Sequence, residues 1–150
     1  MRRNEEHAQL SSAERVTVPV SGMADATVAS SLAVRFAMMC GFERREAVEV
    51  GIVVREMATN IVVHSGSAGT IELSFGGNEL VMRALDEGPG MADPGKLLAD
   101  RPPPFVAVEG LGQGGGAIRR LADGVRVENR PSGGLEVEAV KRRAVAGRRE

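Results

Sequence analysis

Val50-Gly51-Ile52-Val53-Val54-Arg55-Glu56-Met57-Ala58-Thr59-Asn60-Ile61-Val62-Val63-His64 is the stretch on which the fold turns. Val50, Val53, Val54, Met57, Ile61 and Val62 fall mostly at spacings of three and four, so one stripe of a helix faces a core. Glu56, Asn60 and His64 repeat at a spacing of four, which puts them on a second face, drifting slowly around it. The spacing predicts a helix from about Glu43 to His64.

Upstream, residues 1–14 are polar and read as a loose arm. Arg15–Val20 alternates and is β-branched, which predicts a strand. Ala24–Cys40 reads as a helix with Gly41 at its stop. Downstream, Ser65–Gly69 is a turn. Thr70–Phe75 and Glu79–Leu85 are expected as strands joined through Gly76-Gly77-Asn78, a hairpin signal. Residues 86–113 are rich in Gly and Pro and contain Pro102-Pro103-Pro104. A loop of that length inside a compact domain points to a lid or to disorder. A short helix is expected over Gly116–Ala122. Val125–Asn129 and Leu135–Val140 then form a second hairpin. The order β-α-α-ββ-lid-α-ββ predicts an α/β two-layer sandwich with a mostly antiparallel sheet. A single domain over residues 15–142 follows, with a basic tail at 143–150.

Composition narrows the partners. The chain has 150 residues and a formal charge of −1, so no global field points to nucleic acid or membrane. It has no Trp or Tyr, which leaves few stacking platforms for single-stranded nucleic acid. Cys40 is the only cysteine, so no internal disulfide forms, and a reducing cytoplasm fits. No signal segment is read at the start of the chain. The apolar run Leu32–Cys40 contains Arg35 and is too short to span a bilayer. Two histidines, His7 and His64, do not suggest a zinc site.

Three local patterns carry chemistry. A carboxylate and a carboxamide one turn apart, Glu56 and Asn60, suit a nucleotide site. The amide oxygen is a hard ligand for a phosphate-bound Mg²⁺, and the carboxylate can orient or deprotonate a hydroxyl. The bland alternative is a solvated polar edge. Asp86-x-Gly88-x-Gly90 follows a strand. Its carboxylate can accept from the exocyclic amino group of adenine, and its glycines let the backbone approach a flat ring. A simple turn is the alternative. Gly110-Leu111-Gly112-Gln113-Gly114 leads into a helix, where free N–H groups suit phosphate; a flexible linker is the alternative. Gly110-x-Gly112-x-x-Gly115 also matches a dinucleotide fingerprint, but no second βαβ unit accompanies it. Gly90-x-x-x-x-Gly95-Lys96 matches a phosphate loop until Leu97, where a Ser or Thr belongs.

Taken in order, Glu56-x-x-x-Asn60, Asp86-x-Gly88-x-Gly90 and Gly110-x-Gly112-x-Gly114 resemble the N box and the two glycine boxes of the GHKL (Bergerat-fold) ATPases. At this length the chain is expected to lack the extra domains of the larger members. It looks most like the small anti-sigma-factor serine/threonine kinases, of the RsbT switch-kinase type. The resemblance implies a glycine-rich ATP lid, Glu56 as catalytic base and Asn60 as Mg²⁺ ligand. It implies Asp86 as adenine reader, with Gly88 and Gly90 shaping the pocket, and Gly110, Leu111, Gly112 and Gly114 at the phosphates. ATP and Mg²⁺ are the implied cofactors. The implied substrate is a STAS-domain antagonist, with a sigma factor or a PP2C-type phosphatase as further partners. The other implied reading is an ATP/ADP-gated binding switch with little kinase activity. One position departs from the family pattern: Leu135 stands where a Thr commonly follows the last glycines. There, either a water substitutes or nucleotide affinity falls.

Overall fold

The computed structural model describes residues 15–66, 68–94 and 114–144. Strand β1 spans Arg15–Val20, helix α1 Met23–Met39 and helix α2 Arg44–Asn60. A π-helical turn, Ile61–Ser65, follows α2. Strands β2 (Gly69–Gly76) and β3 (Glu79–Asp86) come next, then helix α3 (Gly114–Leu121) and strands β4 (Gly124–Asn129) and β5 (Leu135–Arg142). Each expected element is present, with ends shifted by one or two residues, apart from the end of α2. There the expected helix to His64 stops being α-helical at Asn60 and widens into the π turn, closed by Gly66 at φ +64°.

Local chemistry explains the boundaries. Asp25 in the first turn of α1 accepts from the backbone N–H groups of Ser21 (2.8 Å) and Gly22 (3.2 Å), satisfying donors that the helix start leaves over. At the other end Gly41 takes φ +92°. Its N–H reaches the Met38 carbonyl, and that of Phe42 reaches Ala37, both at 3.0 Å; this is a Schellman stop. The β2–β3 hairpin closes on two residues, Gly77 (φ +57°) and Asn78 (φ +65°). Positive φ at both matches the twist of the flanking strands.

The five strands form one sheet in the order β1-β2-β3-β5-β4, every neighbour antiparallel. Its inner face carries Val18, Val20, Ile71, Leu73, Leu80, Met82, Ala84, Val137 and Ala139, all buried. The helices complete that core with Ala29, Ala33, Phe36, Val50, Val53, Val54 and Met57. Helices α1 and α2 cross at Gly51, where a Cβ would lie 2.4 Å from Val34 Cγ2, and Ser30 Oγ donates to the Gly51 carbonyl at 2.8 Å. The outer sheet face is a charge ladder. Arg83 pairs with Glu136 (2.8 Å) and Glu72 (3.4 Å), and Arg126 with Glu128 (2.8 Å) and Glu138 (3.2 Å). Past β5, Arg143, the first residue of the expected basic tail, is held. It donates to the Cys40 carbonyl at 2.6 Å and to Asn78, and lies over the Phe75 ring. Among the described residues no helix is long and apolar enough to cross a membrane.

Candidate nucleotide site

Glu56 and Asn60 lie on the last turns of α2. Asn60 is 9% exposed, and its Nδ2 is buried without a hydrogen-bond partner among the described residues. Glu56 is half-buried, and its Oε2 is likewise buried and unpaired. Burial pushes the Glu56 carboxyl above its ordinary value of 4.5, with the neighbouring Arg55 charge pulling the other way. Buried polar atoms normally find partners, because each orphan costs about 1–3 kcal/mol. Two orphans one turn apart therefore describe a place for a polar ligand.

The chain brings Asp86 to the same end of the sheet. Asp86 is the last residue of β3 and pairs with Gly69. Gly69 leaves no room for a side chain: a Cβ would lie 2.5 Å from the Leu85 carbonyl and 2.8 Å from Ile61 Cγ2. Ile61 directly follows Asn60, so this contact seats the end of α2 against the end of β3. Asp86 itself is 7% exposed. Its Oδ1 accepts from the backbone N–H of Gly88 (2.9 Å) and of Leu135 (3.1 Å). Oδ2 has no partner among the described residues, so the carboxylate is fixed by one oxygen and offers the other. Leu135, 5% exposed, thus takes part through its main chain even though its side chain has no hydroxyl.

Several supporting residues carry no motif. Gly134, at φ +93°, packs so closely that a Cβ would stand 1.9 Å from the Asp86 carbonyl oxygen. Arg130 Nη1 donates to that same oxygen at 2.7 Å. Asn129 grips Met91 on both sides: Met91 N–H donates to Oδ1 (2.9 Å) and Nδ2 donates to the Met91 carbonyl (2.8 Å). Gly90, at φ +76°, approaches Asn129 so closely that a Cβ would lie 2.5 Å from its Oδ1. The turn after Asp86 is therefore bolted to the end of β4 and the Gly133-Gly134 loop. The glycine pair reads as a turn in the sequence, but nothing there ties Asn129 to Met91, 38 positions earlier, or Arg130 to Asp86, 44 positions earlier.

Gly88 and Gly90 lie in that turn, and Gly114 opens α3. Gly110, Leu111 and Gly112, with the Pro102-Pro103-Pro104 lid, lie outside the described residues, as does the side chain of His64. No group of three or more His, Cys, Asp or Glu able to hold a metal occurs among the described residues. Mg²⁺ on an ATP site needs no such group, since phosphate and water supply most of its shell. Asn60, buried at the end of α2, carries an amide oxygen of the hard kind that serves Mg²⁺, and so fits the part of its protein ligand.

A five-stranded antiparallel sheet under two helices, with orphaned polar groups at one helix end and a half-fixed carboxylate at a strand end, defines the GHKL class of ATP-binding domain. The chain belongs to the histidine kinase-like ATPase domain family, which it matches over residues 22–141. It is similar to the serine/threonine-protein kinase RsbT of Bacillus subtilis (strain 168), at 28% identity over 120 residues, 78% of this chain and 88% of RsbT. Among solved structures it resembles a chain of the SiaB–SiaC complex from Pseudomonas aeruginosa, with a TM-score of 0.60 and 16% identity over 92% of this chain and 96% of that one. It also resembles the catalytic domain of the histidine kinase ThkA, with a TM-score of 0.51 and 13% identity over 87% and 98% of the two chains. At these identities the structural likenesses show the fold.

Proposed function

We propose that the chain is an ATP- and Mg²⁺-dependent protein serine/threonine kinase of the anti-sigma regulatory type. Its substrate is a small STAS-domain antagonist in a bacterial partner-switching pathway of the cytoplasm. The observation that carries the reading is the pair of buried groups on α2, Glu56 Oε2 and Asn60 Nδ2, that have no partner among the described residues, at the end of the domain where Asp86 keeps one carboxylate oxygen clear of them. Similarity to RsbT supports protein as the phosphoryl acceptor.

Asp86 Oδ2 accepts from the adenine amino group, held in place by the Gly88 and Leu135 N–H groups on Oδ1. Glu56 accepts the proton of the attacking Ser or Thr hydroxyl. The hydroxyl oxygen bonds to the γ-phosphorus while the bond to the ADP oxygen breaks. A carboxyl with a pKa above the ordinary range is the better base for that proton. Asn60 would hold the metal through its amide oxygen, and the metal would supply positive charge to offset that of the phosphates. The proton transfer and the base contact thus rest on residues of α2 and β3.

The test is phosphate transfer from γ-labelled ATP to a purified STAS partner. Glu56→Gln is expected to slow it about 10²–10⁴-fold while ATP still binds. Transfer at the wild-type rate in that variant would remove Glu56 from the mechanism. A second reading, an ATP/ADP-gated switch that sequesters a sigma factor or a phosphatase, is favoured by the apolar Leu135 side chain. Nucleotide-dependent binding of a partner with no phosphate on it would select that reading.

A further inference from the structure

Large apolar side chains are not spread evenly over the surface. Of the eight that stand exposed among the described residues, all but Val63 belong to α1 and α2. One pattern occurs on both helices. Val28, Leu32 and Arg35 fall at i, i+4 and i+7 on α1, and Val48, Ile52 and Arg55 do so on α2. That spacing lines up each trio along one side of its helix. Met39, 77% exposed, extends the α1 trio by another turn. All of these residues are exposed, while Gly51 seats α2 against Ser30 and Val34 of α1. The two stripes therefore belong to the outer face of the helical layer. Single exposed apolar residues need no explanation, but a clustered set marks an interaction site.

The charge on this face has mainly one sign. Within α1 and α2 the exposed charged residues are Arg35, Arg44, Arg45 and Arg55. The carboxylates of the same helices are engaged elsewhere. Asp25 accepts from the N–H groups of Ser21 and Gly22, Glu46 from that of Glu43 at 3.3 Å, and Glu49 from Lys141 at 2.7 Å. Glu56 belongs to the proposed nucleotide site. Glu43, just before α2, is also exposed, which leaves the arginines in excess. A chain of net charge −1 thus carries one basic, apolar face.

That combination selects the occupant. A second copy meeting this face in a two-fold contact would set arginine against arginine. Helices that lie on membranes use Trp, Phe and Leu on the buried side, whereas Val and Met predominate here and no aromatic residue is exposed. An acidic protein surface fits both features, since Met and Arg are favoured in protein interfaces and carboxylates complement the arginines. The α2 stripe also ends at Arg55, the residue before Glu56, so a protein lying along it approaches the proposed base. We propose that the outer face of α1 and α2 is the docking surface for the protein that accepts the phosphate, and that the matching surface has an apolar centre rimmed by carboxylates. The inference rests on the kinase reading for the identity of that protein and adds where it is held.

The experiment follows transfer from γ-labelled Mg·ATP to the purified STAS partner over a range of partner concentrations, with calorimetry of partner binding to the same proteins. Leu32→Glu and Ile52→Glu are expected to raise the KM for the partner about tenfold or more, with kcat and Mg·ATP affinity unchanged. Arg35→Glu is expected to raise that KM too and to flatten its dependence on salt. Arg126→Gln, on the outer sheet face, is expected to leave it as in wild type. A KM equal to wild type in the helix variants, or one raised as much by Arg126→Gln, would overturn the proposal. So would a wild-type dimer that Leu32→Glu dissociates, or flotation with anionic phospholipid vesicles that Leu32→Glu abolishes, since either gives the face another occupant. A wild type that binds the partner through these residues without phosphorylating it would overturn the kinase reading and leave the docking surface standing. A partner that neither binds nor accepts phosphate would overturn the docking proposal as well.

Discussion

Glu56 shows how one residue can be costly to the fold and useful to the site. Its Oε2 is buried and has no partner among the described residues, and burial raises its pKa above 4.5 against the pull of Arg55. A carboxyl with a raised folded pKa contributes its full stability below the unfolded value. That contribution is lost as pH rises through the folded pKa. Glu56→Gln is therefore expected to raise the melting temperature at pH 7, with the gain shrinking toward zero near pH 4. A variant that melts below wild type at pH 7 and equals it at pH 4 would show that the ionised carboxylate is stabilising after all. In the proposed role of Glu56 as base, transfer to a protein hydroxyl should decline as pH falls through its raised pKa, since the base must be ionised to accept a proton. Asp86, unlike Glu56, has hydrogen-bond partners. Two main-chain donors hold Oδ1, and Leu135 is one of them. The residue that departs from the family pattern in its side chain contributes through its backbone.

At the scale of elements, α2 is the most legible part of the molecule, because an apolar stripe at helical spacing is a strong signal over seventeen residues. The hairpins are legible from their turn residues, and Gly77-Asn78 has the two positive φ values that such a turn requires. The π turn at Ile61–Ser65 is not. Its β-branched run continues the apolar pattern, and periodicity cannot tell one extra residue in a turn from a regular helix. Such turns occur often at functional sites, and this one begins immediately after Asn60. Glu56, Asn60, Asp86, Gly88 and Gly90, the proposed site residues, are readable because motif spacing is local. The contacts of Asn129, Arg130 and Gly134 are not, because they join segments far apart in the chain. Asn129 offers a direct check, since it clamps Met91 and so the turn carrying Gly88 and Gly90. In Asn129→Ala the affinities for adenosine and for ATP should fall together, by about 5–30-fold for the loss of two hydrogen bonds. A loss confined to ATP would place Asn129 at the phosphates and not at the base.

The whole molecule divides its labour between two faces. The outer sheet face is a ladder of ion pairs around Arg83 and Arg126, partly exposed and worth little each. The inner face and the helices supply the core, and the site lies at one end, where α2, β3 and the Gly133-Gly134 loop meet. Orphaned groups at that end mean that a bound nucleotide should stabilise the whole chain. At a hundred times its Kd a ligand adds about 2.7 kcal/mol. For 150 residues that corresponds to a rise in Tm of roughly 5–11 °C.

Asp86 allows that claim to be tested with little disturbance. Asp86→Asn keeps an oxygen for the Gly88 and Leu135 N–H groups and replaces the free oxygen with an amide nitrogen that cannot accept from adenine. The decisive measurement is a calorimetric titration of Mg·ATP into wild type and Asp86→Asn, with circular dichroism confirming that both are folded. Saturable binding to wild type, weakened about 100-fold or more in the variant, is the predicted result. No binding to the wild type, or equal affinity in the two proteins, would contradict the assignment of this site to ATP.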